Sequence, residues 1–301
     1  MTKLRIIIQS LTICLLLAAA SSFAQAQTRT WVSGTGSDAN PCSRSAPCLT
    51  FAGAISKTSA GGEISVLDPH SYGPVTITKS ITINGEGSLA SILVGLNGTG
   101  ITVNAGASDT VYIKNIDING AGNGSNGITW IAGNALILDK VRIYTFTNLG
   151  LNVNKSASGF LSMTNSAITN CVAGGLQATT NSGVLRGEIE NTKIFGCTNG
   201  VKAVVNTQLT FKNSTVSGCG TAGFLATGPS AVLNLQSCTA TNNVSGVKTE
   251  LGGLVRLGQS TVANNITKGL DTAAGGTIES YQDNYISGNP NSDASSPINP
   301  S

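Results

Sequence analysis

Leu209-Thr210-Phe211-Lys212-Asn213-Ser214-Thr215-Val216-Ser217-Gly218-Cys219-Gly220-Thr221-Ala222-Gly223-Phe224 reads as most of one turn of a repeating coil. Leu209 and Phe211 alternate with polar neighbours, Asn213 interrupts, Val216 stands between hydroxyl residues, and Gly223 precedes Phe224. Alternation in pieces this short, divided by Asn and Gly, belongs to strands and turns; a helix wants apolar residues three and four apart. The pattern recurs on both sides. Upstream it appears as Val111, Ile113, Asn115 and Ile118, as Leu136, Leu138, Lys140 and Ile143, as Leu161, Met163, Asn165 and Ile168, and as Ile189, Asn191 and Ile194. Downstream it appears as Leu233, Leu235, Ser237 and Ala240, as Val255, Leu257, Gln259 and Val262, and as Tyr281, Asp283 and Ile286. Copies lie 22 to 26 residues apart, the extremes being Asn191 to Asn213 and Asn165 to Asn191.

Each copy has a second half, a Gly followed by an apolar residue: Gly127-Ile128, Gly150-Leu151, Gly175-Leu176, Gly200-Val201, Gly223-Phe224, Gly246-Val247 and Gly269-Leu270. Gly100-Ile101 and the stretch from Val75 to Ile83 read as earlier, less regular turns. Three short strands per copy predict an all-β parallel β-helix, with equivalent residues stacked roughly 4.8 Å apart and alternate side chains entering a narrow core. The Asn column (Asn115, Asn165, Asn191, Asn213) suits a tight turn, because Asn tolerates left-handed backbone angles. Lys140, Ser237, Gln259 and Asp283 interrupt it.

On these residues the chain resembles the secreted, pectate-lyase-like right-handed β-helix proteins, over roughly residues 30 to 290. The front end, Trp31 to Asp38, then Pro47-Cys48-Leu49-Thr50 and an Ala-rich stretch to Lys57, resembles the N-terminal cap of that group. Gly61-Gly62-Glu63-Ile64 and Asp68-Pro69-His70-Ser71-Tyr72 extend the likeness. A cap is physically required, since the first coil would otherwise expose an unpaired edge and the end of the core. The domains expected are residues 1–26 as signal peptide, 27–74 as a cap with one helix near Leu49 to Lys57, 75–289 as the β-helix in three-strand coils, and 290–301 as a polar tail.

Lys3 and Arg5, an apolar run from Ile6 to Ala20 and Ala24-Gln25-Ala26 make up the layout of an export signal, with cleavage expected after Ala26. Cys14 follows Ile13 rather than a small residue, which disfavours a lipid anchor. No later stretch reaches the ~20 apolar residues of a membrane span, so a secreted or periplasmic protein, monomeric and without a transmembrane segment, is expected. The net charge of +3 falls to +1 without Lys3 and Arg5, too little for a nucleic-acid footprint.

Export permits disulfides, and Cys42 and Cys48 bracket a short loop that one would close. Cys171, Cys197 and Cys219 share one repeat position, with Phe146 and Ala121 in its place elsewhere, so an inward slot is expected; Cys238 falls in another column. His70 is the only histidine and no two-plus-two cysteine arrangement exists, so neither a metal nor another cofactor is expected.

Polygalacturonase-like relatives carry catalytic Asp at the turn before the Gly-apolar strand, and the resemblance therefore points to Thr169–Gly174, Phe195–Asn199 and Thr241–Ser245. None holds a carboxylate. Glycoside hydrolysis asks for paired acids, and calcium-dependent lysis for clustered Asp with a basic residue, so no catalytic residue is assigned and the enzyme question leans to no. The outward positions of the Gly-apolar strands are Asn152, Gln177, Lys202, Leu225, Lys248 and Asp271, and the five polar ones are the candidate ligand contacts. Arg186, Glu188, Glu190, Lys193 and Lys212 read as a surface ion-pair patch. Three functions stand: a non-catalytic extracellular or surface-associated glycan binder, an atypical lyase acting on an acidic polysaccharide, and a structural rod.

Overall fold

The computed structural model describes residues 26–291 and 296–297. The expected signal segment with Cys14 and most of the polar tail lie outside them. No helix among the described residues is long and apolar enough to cross a membrane.

Each complete coil contributes one strand to each of three parallel sheets, which among the described residues have twelve, ten and nine strands and which we call sheets 1, 2 and 3. In the coil quoted above, Thr207–Lys212 lies in sheet 1, Thr215–Ser217 in sheet 2 and Ala222–Thr227 in sheet 3. Parallel pairing without offset turns the sequence repeat into columns. Ile118, Ile143, Ile168, Ile194, Val216, Ala240 and Val262 form one inward stack in sheet 2. Ile101, Ile128, Leu151, Leu176, Val201, Phe224, Val247 and Leu270 form another in sheet 3. Sheet 1 supplies Leu136, Leu161, Leu209, Leu233 and Val255, with Gly187 inserted. A Cβ on Gly187 would come within 2.7 Å of the Leu161 carbonyl oxygen, so that coil has room only for glycine. Phe211 of sheet 1 meets Phe224 of sheet 3 edge-on, with centroids 5.3 Å apart.

The Gly of each Gly-apolar pair is likewise a matter of space. A Cβ on Gly175 would sit 2.5 Å from Ile194 Cγ2, and one on Gly246 2.6 Å from Val262 Cγ1. None of the six from Gly127 to Gly246 has a positive φ, so it is the close approach of sheets 2 and 3 that excludes a side chain.

The left-handed turns are built from two adjacent columns. Between sheets 1 and 2, Asn115, Lys140, Asn165, Asn191, Asn213, Ser237 and Gln259 all have φ between 50° and 54°. The following residue points inward: Ile116, Val141, Ser166, Thr192, Ser214, Cys238 and Ser260 are buried. Their hydroxyls accept the backbone N–H of the preceding coil, Ser166 from Val141 at 3.0 Å, Ser214 from Thr192 at 3.1 Å and Ser260 from Cys238 at 3.1 Å. Cys238 therefore belongs to a column of hydroxyl residues and is a free, buried thiol.

Between sheets 2 and 3 the same device recurs. Ala121, Thr145, Asn170, Gly196, Gly218, Asn242, Asn264 and Gly288 take the left-handed position. Phe146, Cys171, Cys197, Cys219, Asn243, Asn265 and Asn289 follow them. Cys171, Cys197 and Cys219 are buried, as the repeat predicts, and are free thiols, but Ala121 is not in their column: it is exposed and holds the left-handed turn one residue earlier. The column ends in a buried amide ladder that the spacing did not reveal. Asn243 Oδ1 accepts from Cys219 N at 3.0 Å, Asn265 Oδ1 from Asn243 N at 3.0 Å, and Asn289 Oδ1 from Asn265 N at 2.9 Å. In the outward Asn column Asn165, Asn191 and Asn213 are exposed by contrast, with Asn191 Nδ2 donating to Asn165 Oδ1 at 2.7 Å.

The last copy departs from the expected register. Ile278 and Ser280, not Tyr281, pair with Val255 and Leu257, and Gln282, not Asp283, holds the left-handed turn with φ 63°. Ile286 still pairs with Val262, so the turn has gained one residue. Tyr281 is consequently half exposed.

At the front, Gln27–Val32 and Thr58–Val66 are the first two strands of sheet 1, so the cap continues the sheet it closes. A helix over Phe51–Ile55 buries Phe51 and Ala54 against the core. Thr50 caps it by accepting from Gly53 N at 2.9 Å, and Asp38 holds Thr50 through the backbone N–H at 2.9 Å and the hydroxyl at 2.7 Å. Cys42 and Cys48 are joined by a disulfide, with Cα atoms 4.6 Å apart. At the far end Ser296–Pro297 adds a strand beside Glu279 and Ser280.

Candidate functional site

In sheet 3 the residue after each stacked apolar one points outward, and parallel register gathers these residues into a column of their own. Register aligns Thr76, Thr102, Thr129, Asn152, Gln177, Lys202, Leu225, Lys248 and Asp271. All five expected contacts thus stand on one line at the rung spacing of roughly 4.8 Å. Leu225 is only 4% exposed although it points outward, since it lies in register between Lys202 and Lys248, whose aliphatic stems can cover it.

The charged end of the column is internally balanced. Lys248 Nζ lies 3.2 Å from Glu250 Oε2, and Lys268 Nζ lies 3.1 Å from Asp271 Oδ1. Ser245 Oγ donates to Asp271 Oδ2 at 3.1 Å. Glu250, Lys268 and Ser245 were not among the expected site residues. Their signal was present: Lys248 and Glu250 are two apart, hence on one face of a strand, and Lys268 precedes Asp271 by three. Lys202 has no ion-pair partner among the described residues, which leaves it as the unbalanced positive charge of the column.

Two further atoms of the same face lack a protein partner although they are buried, Thr129 Oγ1 and Asn199 Oδ1. Asn199 pairs in register with Gly174 and Ala222, so small neighbours flank it. The face offers a cation in the middle, amides and hydroxyls towards the cap, and two lysine–carboxylate pairs at the far end. Both of its carboxylates, Glu250 and Asp271, are engaged with lysines, and no group of three His, Cys, Asp or Glu side chains among the described residues converges as a cation site would require.

The second charged set is organised differently from its expectation. Arg186, Glu188, Glu190, Lys193 and Lys212 lie on adjacent outward positions, but no ion pair joins them among the described residues. Glu190 accepts instead from Asn213 Nδ2 at 3.4 Å.

A family model described as a right-handed β-helix region matches residues 99–290. No curated protein matches the chain. Among solved structures, the pectate lyase Pel9A superposes with a TM-score of 0.61 at 16% identity, over 91% of this chain and 80% of the lyase. The A-module of the Azotobacter vinelandii mannuronan C-5 epimerase AlgE6 superposes with a TM-score of 0.52 at 14% identity, over 80% of this chain and 92% of the module. The AlgE4 A-module gives 0.52 at 13% identity, over 80% and 91%. At these identities the likeness is one of fold.

Proposed function

The chain belongs to the right-handed β-helix family, and from that premise we propose that it is an exported polysaccharide-binding protein that grips an acidic glycan along the outward face of sheet 3 without cleaving it. The observation that carries this reading is the unbroken column of register-aligned side chains from Asn152 to Asp271, with Lys202 unbalanced at its centre. An extended glycan presents polar groups at regular intervals, and a column of side chains on successive rungs meets it with regular spacing. Lys202 attracts the acid group, while Gln177 and Asn152 both donate and accept towards hydroxyls.

The experiment is titration of oligogalacturonate and oligoalginate into the mature chain. Lys202→Ala weakens binding by about three- to tenfold, as expected for one partly exposed cation, and the effect shrinks with added salt. Lys193→Ala with Lys212→Ala removes charge from sheets 2 and 1 and leaves affinity unchanged. Equal losses from both variants mean general charge attraction and sink the assignment.

A second reading, lysis or epimerisation of a uronate polymer, has one observation in its favour. Lys248, Glu250, Lys268 and Asp271 cluster on the same face, and lysine is a competent base when its carboxylate partner is displaced. Unsaturated product, followed by ultraviolet absorbance, or a changed uronate ratio by NMR would establish it, and Lys248→Ala would abolish either.

A further inference from the structure

Sheet 1 carries a depression that the column on sheet 3 does not explain. Its third outward column runs Lys114, Asp139, Thr164, Glu190, Lys212 and Gln236, and then reaches Gly258. Gly258 has no positive φ, so its backbone does not call for glycine. The effect of glycine there is to leave out a side chain where every other rung of the column has one, and a Cβ would come within 3.1 Å of Tyr281 Cδ2. The one-residue insertion in the last turn is what brings Tyr281 out of the core and beside this gap. The resulting groove has a volume of about 360 Å³, at the small end of the ~300–1,000 Å³ typical of ligand sites.

Its walls combine an aromatic ring with side-chain amides. Tyr281 is 50% exposed. Asn234, Gln236, Gln259, Arg256 and Asp283 are the amide and charged residues of its lining. Arg256 Nε donates to Glu279 Oε2 at 2.7 Å, so its charge is already balanced. Asp283 Oδ1 accepts from Gln259 N at 2.9 Å and keeps its second oxygen for other donors. The groove is therefore neutral to slightly negative, unlike the surroundings of Lys202.

We propose that the notch over Gly258 is a second saccharide site, which takes one neutral pyranose ring against the face of Tyr281. The C–H face of a pyranose is apolar and flat enough to lie on an aromatic ring, while its hydroxyls both donate and accept, as the amides of Asn234, Gln236 and Gln259 do. The unbalanced carboxylate of Asp283 selects against a uronate. The site lies on a different sheet and prefers a different charge, so it stands or falls independently of the reading given above.

The test is saturation-transfer NMR of the mature chain with the methyl glycosides of glucose, galactose and mannose, and with methyl galacturonate as the charged comparison. At least one neutral glycoside binds with a Kd on the order of millimolar. Tyr281→Ala and Gly258→Gln each weaken it by about tenfold or more, Tyr281→Phe stays within about twofold, and Lys202→Ala changes nothing. Circular dichroism melts check that the variants fold; Gly258→Gln restores the side chain that the preceding rung carries, and it decides the matter where Tyr281→Ala is unstable. Absence of binding by all three neutral glycosides overturns the proposal. So do unchanged binding in Gly258→Gln, loss of neutral-glycoside binding in Lys202→Ala, and, in that Lys202→Ala variant, tighter binding of the uronate than of the neutral glycosides.

Discussion

Lys155 is the residue whose surroundings are least ordinary. It ends a strand of sheet 3 with 2% of its surface exposed, donates to the Gly133 carbonyl and sits 4.2 Å from the centre of the Trp130 ring, and it pairs with no carboxylate among the described residues. Burial depresses its pKa to about 8, since the charged form loses more hydration than the ring returns. A folded pKa below the unfolded one means that the unfolded chain holds more protons above pH 8, so stability rises with pH there. Two of the buried thiols work in the other direction: burial raises Cys238 to about 11 and Cys219 to about 12, and the stability they contribute is lost as the unfolded thiols ionise, from about pH 8 upward. Comparison with a variant that keeps the thiols isolates the Lys155 effect: between pH 8 and pH 9, by chemical denaturation, the wild type gains about 1 kcal/mol relative to Lys155→Met. Asn243 tests the amide ladder in the same way. Asn243→Leu keeps the branching of the side chain but leaves Cys219 N–H and the Val216 carbonyl without their partner, and it costs about 2–4 kcal/mol. The exposed Asn191→Ala costs only about 1 kcal/mol, the strain of a left-handed alanine.

At the scale of the strand, sheet 2 shows how little sequence is needed to hold a register. Each of its regular strands has three residues, of which only the middle one faces the core. Ile168→Asp or Ile194→Asp places a carboxylate in that stack and destabilises by several kcal/mol even after the acid protonates. Thr215→Asp, one position from the inward Val216, faces solvent beside Lys193 and is mild. Thermal melting of the variants separates the two classes, and equal losses would place the strand one residue out of register. The turns owe their shape to the paired columns: one residue accepts the left-handed angle and the next reaches inward to bind the backbone of the neighbouring coil.

On the scale of the whole molecule, stacking makes the coils nearly independent units whose stability is a sum of internal and nearest-neighbour contributions. Asn191 and Asn213 occupy the same point of successive coils, so removing residues 191–212 joins Glu190 to Asn213 with every column intact. The shortened chain folds, keeps its β circular dichroism and melts cooperatively. Removing residues 191–201 instead joins one sheet to another out of phase and abolishes folding. The first deletion also takes away Lys202, so the shortened rod loses acidic-glycan affinity while the Gly258 notch keeps its neutral glycoside.

Repetition is why so much of this molecule could be read from its chain. Once the period is known, a parallel stack without offset sends each residue to a column. That is enough to put Asn152, Gln177, Lys202, Lys248 and Asp271 on one line, and to bury Ile168 and Ile194 but not Thr215. Local chemistry likewise sufficed for the Cys42–Cys48 bridge and the helix behind Thr50. The period fails to decide wherever two neighbours are chemically alike or the spacing changes by one. Asn242-Asn243 and Asn264-Asn265 each offer two candidates for the left-handed turn, and only packing against Cys219 and the backbone of adjacent coils sends the second one inward. The extra residue after Gln282 hides the true register of the last copy, and with it the exposure of Tyr281 and the gap over Gly258. Ion pairing was legible along a strand but not across the sheet, where the carboxylate that a lysine reaches depends on side-chain directions: Lys248 finds Glu250 two residues along its own strand, whereas Lys193 and Lys212 find no carboxylate among the described residues.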